Sequence, residues 1–305
     1  MHTLPPLALW SALSLAASAA APEPKNLAAS SPLPSGNGLA AAFKADVSIA
    51  SHPSVLFADG FESATISKWD EPAPSSPDIV SFPNPGNPAL GSHCLRVTAT
   101  LGKNTGGGPT QWFPATNSVF VRFLTRFDSQ CDYVHHFVTL RANKDLKGGD
   151  KWSGFGKAGL LPIGSERFST ALEPWGDDGR NPPPGRWNFY SYWHEMTPSP
   201  DGKFWGNSFS PSPAPPVPKD RWICAEFMLR HNSPGKPDGA QAFWIDGKLL
   251  GHWEGINWRT SPSLMANALT VESYFTDRWT TNPTNIVSFD NVVVASAYIG
   301  PPAKP

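Results

Sequence analysis

The chain has 305 residues, 40% of them hydrophobic and 12% aromatic, with 13 Trp and 18 Phe, so a sizeable core can be buried. Its 24 basic and 25 acidic residues leave a net charge of −1, which supplies no electrostatic footprint for nucleic acid or for polyanions in general. With 34 Pro and 26 Gly, long helices are disfavoured and turns abound, which excludes a helical bundle.

In chain order, the first element is an export signal over residues 1–21. The apolar run Leu7, Ala8, Leu9, Trp10, Ala12, Leu13, Leu15 leads into the small-residue sites Ala17-Ser18-Ala19 and Ala19-Ala20-Ala21, although no Lys or Arg precedes it. No other stretch reaches the ~18 apolar residues that cross a bilayer. A soluble, monomeric, secreted or periplasmic protein is expected, with neither membrane nor nucleic acid as partner. Residues 22–54, rich in Ala, Ser, Pro and Gly without a period, read as a flexible linker.

From Val55 to about residue 300 short apolar runs alternate with turn clusters. They include Val119 to Phe127, Tyr133 to Arg141, Phe168 to Leu172, Trp187 to Trp193, Trp222 to Leu229, Leu269 to Phe275 and Ile286 to Val294. Such runs with no helix-length amphipathic stretch between them predict one all-β domain, an antiparallel β-sandwich. Asp246-Gly247 between Phe243-Trp244-Ile245 and Leu249-Leu250 predicts a two-residue hairpin. Three cysteines in an exported chain allow one disulfide; Cys94 and Cys131, at strand edges, are the plausible pair, and Cys224 reads as a core residue.

Alternate side chains of a strand point to opposite faces. In 133–141 this sends His136, Val138 and Leu140 to the core and Tyr133, His135, Phe137, Thr139 and Arg141 to the other face. In 188–194 the outward row is Asn188, Tyr190, Tyr192 and His194. In 222–230 it includes Glu226 and Arg230, with His231 just beyond. If these rows share one sheet face they line a groove whose aromatic and hydrogen-bonding side chains suit a sugar polymer.

Several segments carry a resemblance: Phe57-Ala58-Asp59-Gly60-Phe61-Glu62-Ser63, Gly156-Lys157-Ala158-Gly159-Leu160, Arg167-Phe168-Ser169-Thr170, Trp187-Asn188-Phe189-Tyr190-Ser191-Tyr192, Phe243-Trp244-Ile245-Asp246-Gly247-Lys248 and Phe289-Asp290-Asn291-Val292-Val293-Val294. Together they resemble the concanavalin-like jelly-roll polysaccharide lyases, notably the glucuronan- and alginate-lyase-like group and related secreted carbohydrate-active proteins. The resemblance implies a jelly roll that cleaves a uronic-acid polymer by β-elimination. That chemistry needs a group neutralising the uronate carboxylate, a base for the C5 proton and an acid for the departing oxygen. The residue types available assign Arg141, with Asn188, to the carboxylate, His135 to the base, and Tyr190 or Tyr192 to the acid. His194, Glu226, Arg230 and His231 are substrate-binding candidates. The chain departs from the group's pattern at Ala171 and Leu172, where members carry an Arg. In similar folds the first- and last-strand positions of Glu62 and Asp290 hold a structural calcium ion, and the resemblance implies the same here.

Two other classes compete. A non-catalytic carbohydrate-binding module would use Trp112, Trp152, Trp175, Trp193 and Trp205 as stacking platforms. A glycoside hydrolase needs two carboxylates facing each other about 5–10 Å apart; Glu166, Glu173, Glu195, Glu226, Glu254 and Glu272 are scattered singly along the chain.

Overall fold

A computed structural model describes residues 33–72, 79–83, 90–144 and 151–303. The expected export signal lies outside the described residues. Strands are numbered in chain order: β1 Val55–Asp59, β2 Ile79–Pro83, β3 His93–Thr100, β4 Gly106–Gly107, β5 Thr110–Trp112 and β6 Ser118–Phe127. Next come β7 Val138–Asn143, β8 Arg167–Trp175, β9 Arg186–Tyr192, β10 Asn207–Phe209 and β11 Ile223–Arg230. The last five are β12 Gly239–Ile245, β13 Lys248–Ile256, β14 Ala266–Thr270, β15 Ser273–Tyr274 and β16 Thr284–Ala295.

Two antiparallel sheets face each other, as a jelly roll requires. One runs β13-β12-β11-β6-β16-β3-β2, with β1 also on β16; the other runs β10-β9-β8-β7-β14-β5. Between them lies the core, built from inward residues of both layers: Val121, Phe123, Phe227 and Phe243 on one side, and Val138, Leu140, Leu172, Phe189 and Leu269 on the other. A polar trio bridges the layers inside it. Thr170 donates to Gln241 of the opposite sheet at 2.8 Å and meets Ser191 at 2.8 Å. The expected hairpin forms at Asp246-Gly247, both with positive φ (51° and 76°), which is the primed turn that matches strand twist.

Residues 33–54 are not a flexible linker. Two 3-10 turns, Leu39–Ala42 and Ile49–Ser51, lie on the outer face of the eight-stranded sheet. Ala40 and Ile49 join Phe120, Met228, Trp244, Tyr298 and Ile299 in a second buried cluster. A buried ion pair, Arg122 to Asp46 at 2.6 Å, pins the same stretch. The cause is visible in β12, which is buried at every position, so both of its faces need a cover. Removing that apolar face from water compensates the entropy of ordering a Pro/Ser/Ala-rich segment.

Glu226 belongs to this cover rather than to a groove. It sits on the outer face of β11, where its carboxylate accepts the Ile299 and Gly300 amides at 2.8 Å each, and burial raises it to about 7. Arg230 lies on the same outer row, paired with Glu254 at 3.3 Å. Nor are Cys94 and Cys131 joined by a disulfide; Cys131 Sγ donates to the Asp132 carbonyl at 3.6 Å, and burial pushes that thiol up to about 12. Replacing Glu226 by Ala strands two buried amides and should cost about 1–3 kcal/mol of stability. Glu226→Gln, which keeps one acceptor, should lose less. Urea midpoints of the two variants against the parent check this.

Candidate active-site groove

The outer face of the six-stranded sheet is set by register. β7, β8 and β9 pair so that Arg141 lies opposite Ser169 and Ser169 opposite Tyr192; one step along, Thr139 lies opposite Ala171 and Ala171 opposite Tyr190. Residues opposite one another in an antiparallel ladder point to the same face. Arg141, Tyr190 and Tyr192 therefore share one side of the sheet, with Thr270 beside Thr139 on β14. Small residues at 169 and 171 leave the space between the Arg and Tyr rows open.

The two tyrosine hydroxyls are 3.3 Å apart, and their rings meet edge to face. Tyr190 packs where Gly206 carries no side chain; a Cβ there would stand 2.6 Å from the ring. Burial and the Tyr192 hydroxyl raise the Tyr190 pKa, so it holds its proton. Arg141 is mostly buried. It donates to Thr270 Oγ1 at 2.6 Å, approaches Glu272 at 3.5 Å, and lies 4.4 Å over the Phe155 ring. Two of its five N–H donors are thereby engaged.

The histidines depart from the parity expectation. Residues 133–137 are not part of β7; among the described residues their one ladder contact is the isolated bridge between His136 and Tyr274, with the His135 amide also on the Tyr274 carbonyl at 2.8 Å. Regular alternation fails there. Phe137, expected in the groove, is fully buried in the core against Phe127 and Phe289. His136, expected in the core, lies in the groove wall, stacked on Tyr274 at 5.7 Å, and its ring is 4.3 Å from that of His135. Both imidazoles stay neutral: burial lowers His135, and burial with the nearby His135 and Arg141 pushes His136 down to about 3.

The face holds two adjoining cavities. One, of about 350 Å3, is lined by Tyr133, His135, His136, Glu173, Trp175, Asp177, Asp178, Tyr190 and Trp279. The other, of about 620 Å3, is lined by His136, Arg141, Phe155, Lys157, Arg167, Tyr192, Glu272 and Tyr274. His136 borders both.

Two carboxylates were illegible as site residues. Glu173 is 7% exposed, its Oε2 has no hydrogen-bond partner, and burial with the neighbouring Glu272 raises its pKa well above the carboxylate range. Glu272 is also raised by burial, against the opposing pull of Arg141. A single Glu per segment carries no signal in sequence; the fold brings Glu173 of β8 near Glu272, just past the end of β14.

Other candidates lie elsewhere. Asn188 is on the groove row but fully buried, accepting from Ser210 at 2.9 Å. His194 lies beyond the end of β9, beside Glu195 and Gly164, and lines neither cavity. His231 is buried, its Nδ1 2.8 Å from the Asn117 carbonyl and its Nε2 accepting the Ala266 amide at 2.8 Å, which makes it a structural clip. Trp193 is a core residue at 6% exposure, whereas Trp175 lines the smaller cavity.

Glu62 and Asp290 are both occupied by backbone donors from one loop. Glu62 accepts the Ser92 and His93 amides at 3.0 Å; Asp290 accepts Leu90 at 3.2 Å and Asn291 at 2.7 Å. These amides take up part of each carboxylate's acceptor capacity, and no group of three His, Cys, Asp or Glu suited to a metal forms among the described residues.

No protein-family model and no curated protein matches the sequence. Solved structures do match. The alginate lyase vAL-1 from Chlorella virus has a TM-score of 0.57 at 14% identity, covering 80% of this chain and 99% of that one. The PL-14 alginate lyase from Aplysia kurodai has a TM-score of 0.57 at 12% identity over 80% and 99%. Alginate lyase Aly36B has a TM-score of 0.52 at 17% identity over 80% and 97%. At these identities the likeness establishes the fold, a jelly roll of the type on which those lyases are built.

The neutral histidines have a consequence for stability. A His held below its unfolded value of 6.5 adds nothing to be lost above that pH, and its stabilisation falls away as pH drops from 6.5 toward its folded value. Unfolding free energy should therefore decline between pH 6.5 and 4, and His136→Asn should flatten the slope. Urea titrations across that range, with imidazole 15N shifts constant above pH 5 for His136, check it.

Proposed function

We propose that this chain is an exported polysaccharide lyase that cleaves an acidic glycan by β-elimination in the groove of the six-stranded sheet. The observation that carries the reading is the in-register row that sets Arg141 beside the hydroxyl pair of Tyr190 and Tyr192, with neutral imidazoles along the same wall. The shared fold of three alginate lyases supports the reaction class, and the apolar run ending in small residues before Ala21 supports export.

In this reading the uronate carboxylate docks on Arg141, aided by Lys157 and Arg167 of the same cavity. Neutralising it makes the C5 proton removable and stabilises the enolate-like charge. His135 takes that proton. It is preferred to its neighbour because His136, pushed to about 3, is too weak a base at neutral pH. Tyr190 is preferred over Tyr192 as the acid, since burial preserves its proton and it shares a cavity with His135. Tyr192 holds the Tyr190 hydroxyl in place and lies on the Arg141 side.

A second reading rests on Glu173 and Glu272, which could serve hydrolysis as a protonated acid and an Arg-paired carboxylate. The products decide between them. Elimination yields an unsaturated uronate with its ultraviolet band; hydrolysis yields new saturated ends and no band. We expect the band to rise on polyuronates or uronate-containing heteropolymers, and Tyr190→Phe to lower kcat by roughly 10²–10⁴-fold. Arg141→Ala should lower kcat/KM by at least as much. No band from folded protein with any such polymer would sink the proposal.

A further inference from the structure

The two cavities differ in charge, and the tyrosine pair stands between them: Tyr190 lines the smaller and Tyr192 the larger. The larger presents Arg141, Lys157 and Arg167 against the single carboxylate of Glu272. Among the described residues the smaller is lined by no Lys or Arg. Two cations stand beside it, each with a partner: Arg180 pairs with Asp177 at 2.8 Å, and Arg278, whose charge acts on His135, lies 4.8 Å over the Trp279 ring.

We infer that the groove takes a uronate only in the larger cavity, and that the sugar across the scissile bond, in the smaller cavity, is uncharged. This rests on the lyase reading and names its substrate class: an acidic heteroglycan in which a neutral sugar is linked to O4 of the uronate. A carboxylate in the smaller cavity would shed water beside Asp178 with no Lys or Arg among the described lining residues to receive it, which is costly. A neutral pyranose meets what is there. Trp175 and Trp279 offer ring faces for its apolar side, and Glu173, 93% buried by its 7% exposure and with Oε2 unpartnered, offers a hydrogen bond to a hydroxyl. Burial that keeps Glu173 protonated serves the same end.

The bond changes fix which fragment ends where. At the boundary of the two cavities, where its ring lies 4.3 Å from that of the shared His136, His135 takes H5 of the uronate, the C4–C5 double bond forms and the C4–O4 bond breaks. O4 leaves with the electron pair, takes the Tyr190 proton and becomes the anomeric hydroxyl of the sugar in the smaller cavity. The proton on His135 returns to Tyr190, and no water is consumed. Each cut therefore creates a neutral reducing end.

The test compares glucuronan with the same polymer partially carboxyl-reduced, so that glucose replaces some glucuronate and the linkage is unchanged. Per remaining uronate, the reduced polymer should be cleaved at least about fivefold faster, with new reducing ends that are glucose by mass spectrometry. Asp178→Lys, which adds a cation at the rim, should raise turnover of intact glucuronan relative to the reduced polymer by about threefold. Equal rates per uronate, or reducing ends that follow bulk composition, overturn the inference and leave the lyase reading standing. If neither polymer gives unsaturated product, the lyase reading falls; affinity electrophoresis then decides the charge division, which tighter binding of the reduced polymer supports and equal binding overturns.

Discussion

The register of β7 on β8 and of β8 on β9 is the constraint on which the site depends. Arg141, Ser169 and Tyr192 form one rung, and Thr139, Ala171 and Tyr190 the next. A slip of one residue in either pairing would send Arg141 or the tyrosines into the core and bring Leu140 or Phe189 out. The core prevents that slip. Leu140, Leu172 and Phe189 are fully buried against the facing sheet, so exposing them would forfeit several kcal/mol of apolar burial. The groove thus inherits its geometry from packing on the opposite side of the same strands. The small pair Ser169 and Ala171 completes the arrangement. Ala171 keeps the face short at this rung, and the guanidinium beside the tyrosines comes from Arg141 on the neighbouring strand.

Regular strands were legible in the sequence, and what departs from regularity was not. The runs at 119–127 and 286–294 lie within observed strands, 222–229 overlaps β11 with its ends one residue off, and the Asp246-Gly247 turn was specified by two residues that tolerate positive φ. In the 188–194 row Asn188, Tyr190 and Tyr192 keep one face because 186–192 is an unbroken strand, whereas His194 lies past its end. The histidine segment failed for the opposite reason: among the described residues the one ladder contact of 133–137 is the isolated bridge to Tyr274, so a parity count across it carries a false phase into Phe137 and His136. Arg141 survived because it lies within β7 proper. The row containing Glu226 and Arg230 was internally right, with Ile223, Ala225, Phe227 and Leu229 all buried, but strand parity says nothing about which sheet a strand joins.

Desolvation gives the groove its chemical character. The same burial that holds Tyr190 and Glu173 protonated keeps His135 and His136 unprotonated, so the wall offers neutral donors beside neutral acceptors. Charge is concentrated on one side, at Arg141, Lys157 and Arg167. A wall that were ionised throughout would bind a polyanion by attraction along its whole length. Here the cations are gathered at a single cavity, while Asp177 and Asp178 rim the other.

The outer face of the other sheet is covered by described residues of the same chain. β12 is apolar on both sides, and an uncovered outer face bearing Phe120, Met228 and Trp244 would be an association surface. The segment 33–54 and the turn at 298–300 close it together, joined to the sheet by the Asp46–Arg122 pair and by the two amides on Glu226. Both contacts tie chain-terminal segments to central strands of the sheet, a long way in sequence but a short way in space. With that face sealed, the groove between the tyrosines and Arg141 is left as the broad open surface on which a polymer can lie across the strands.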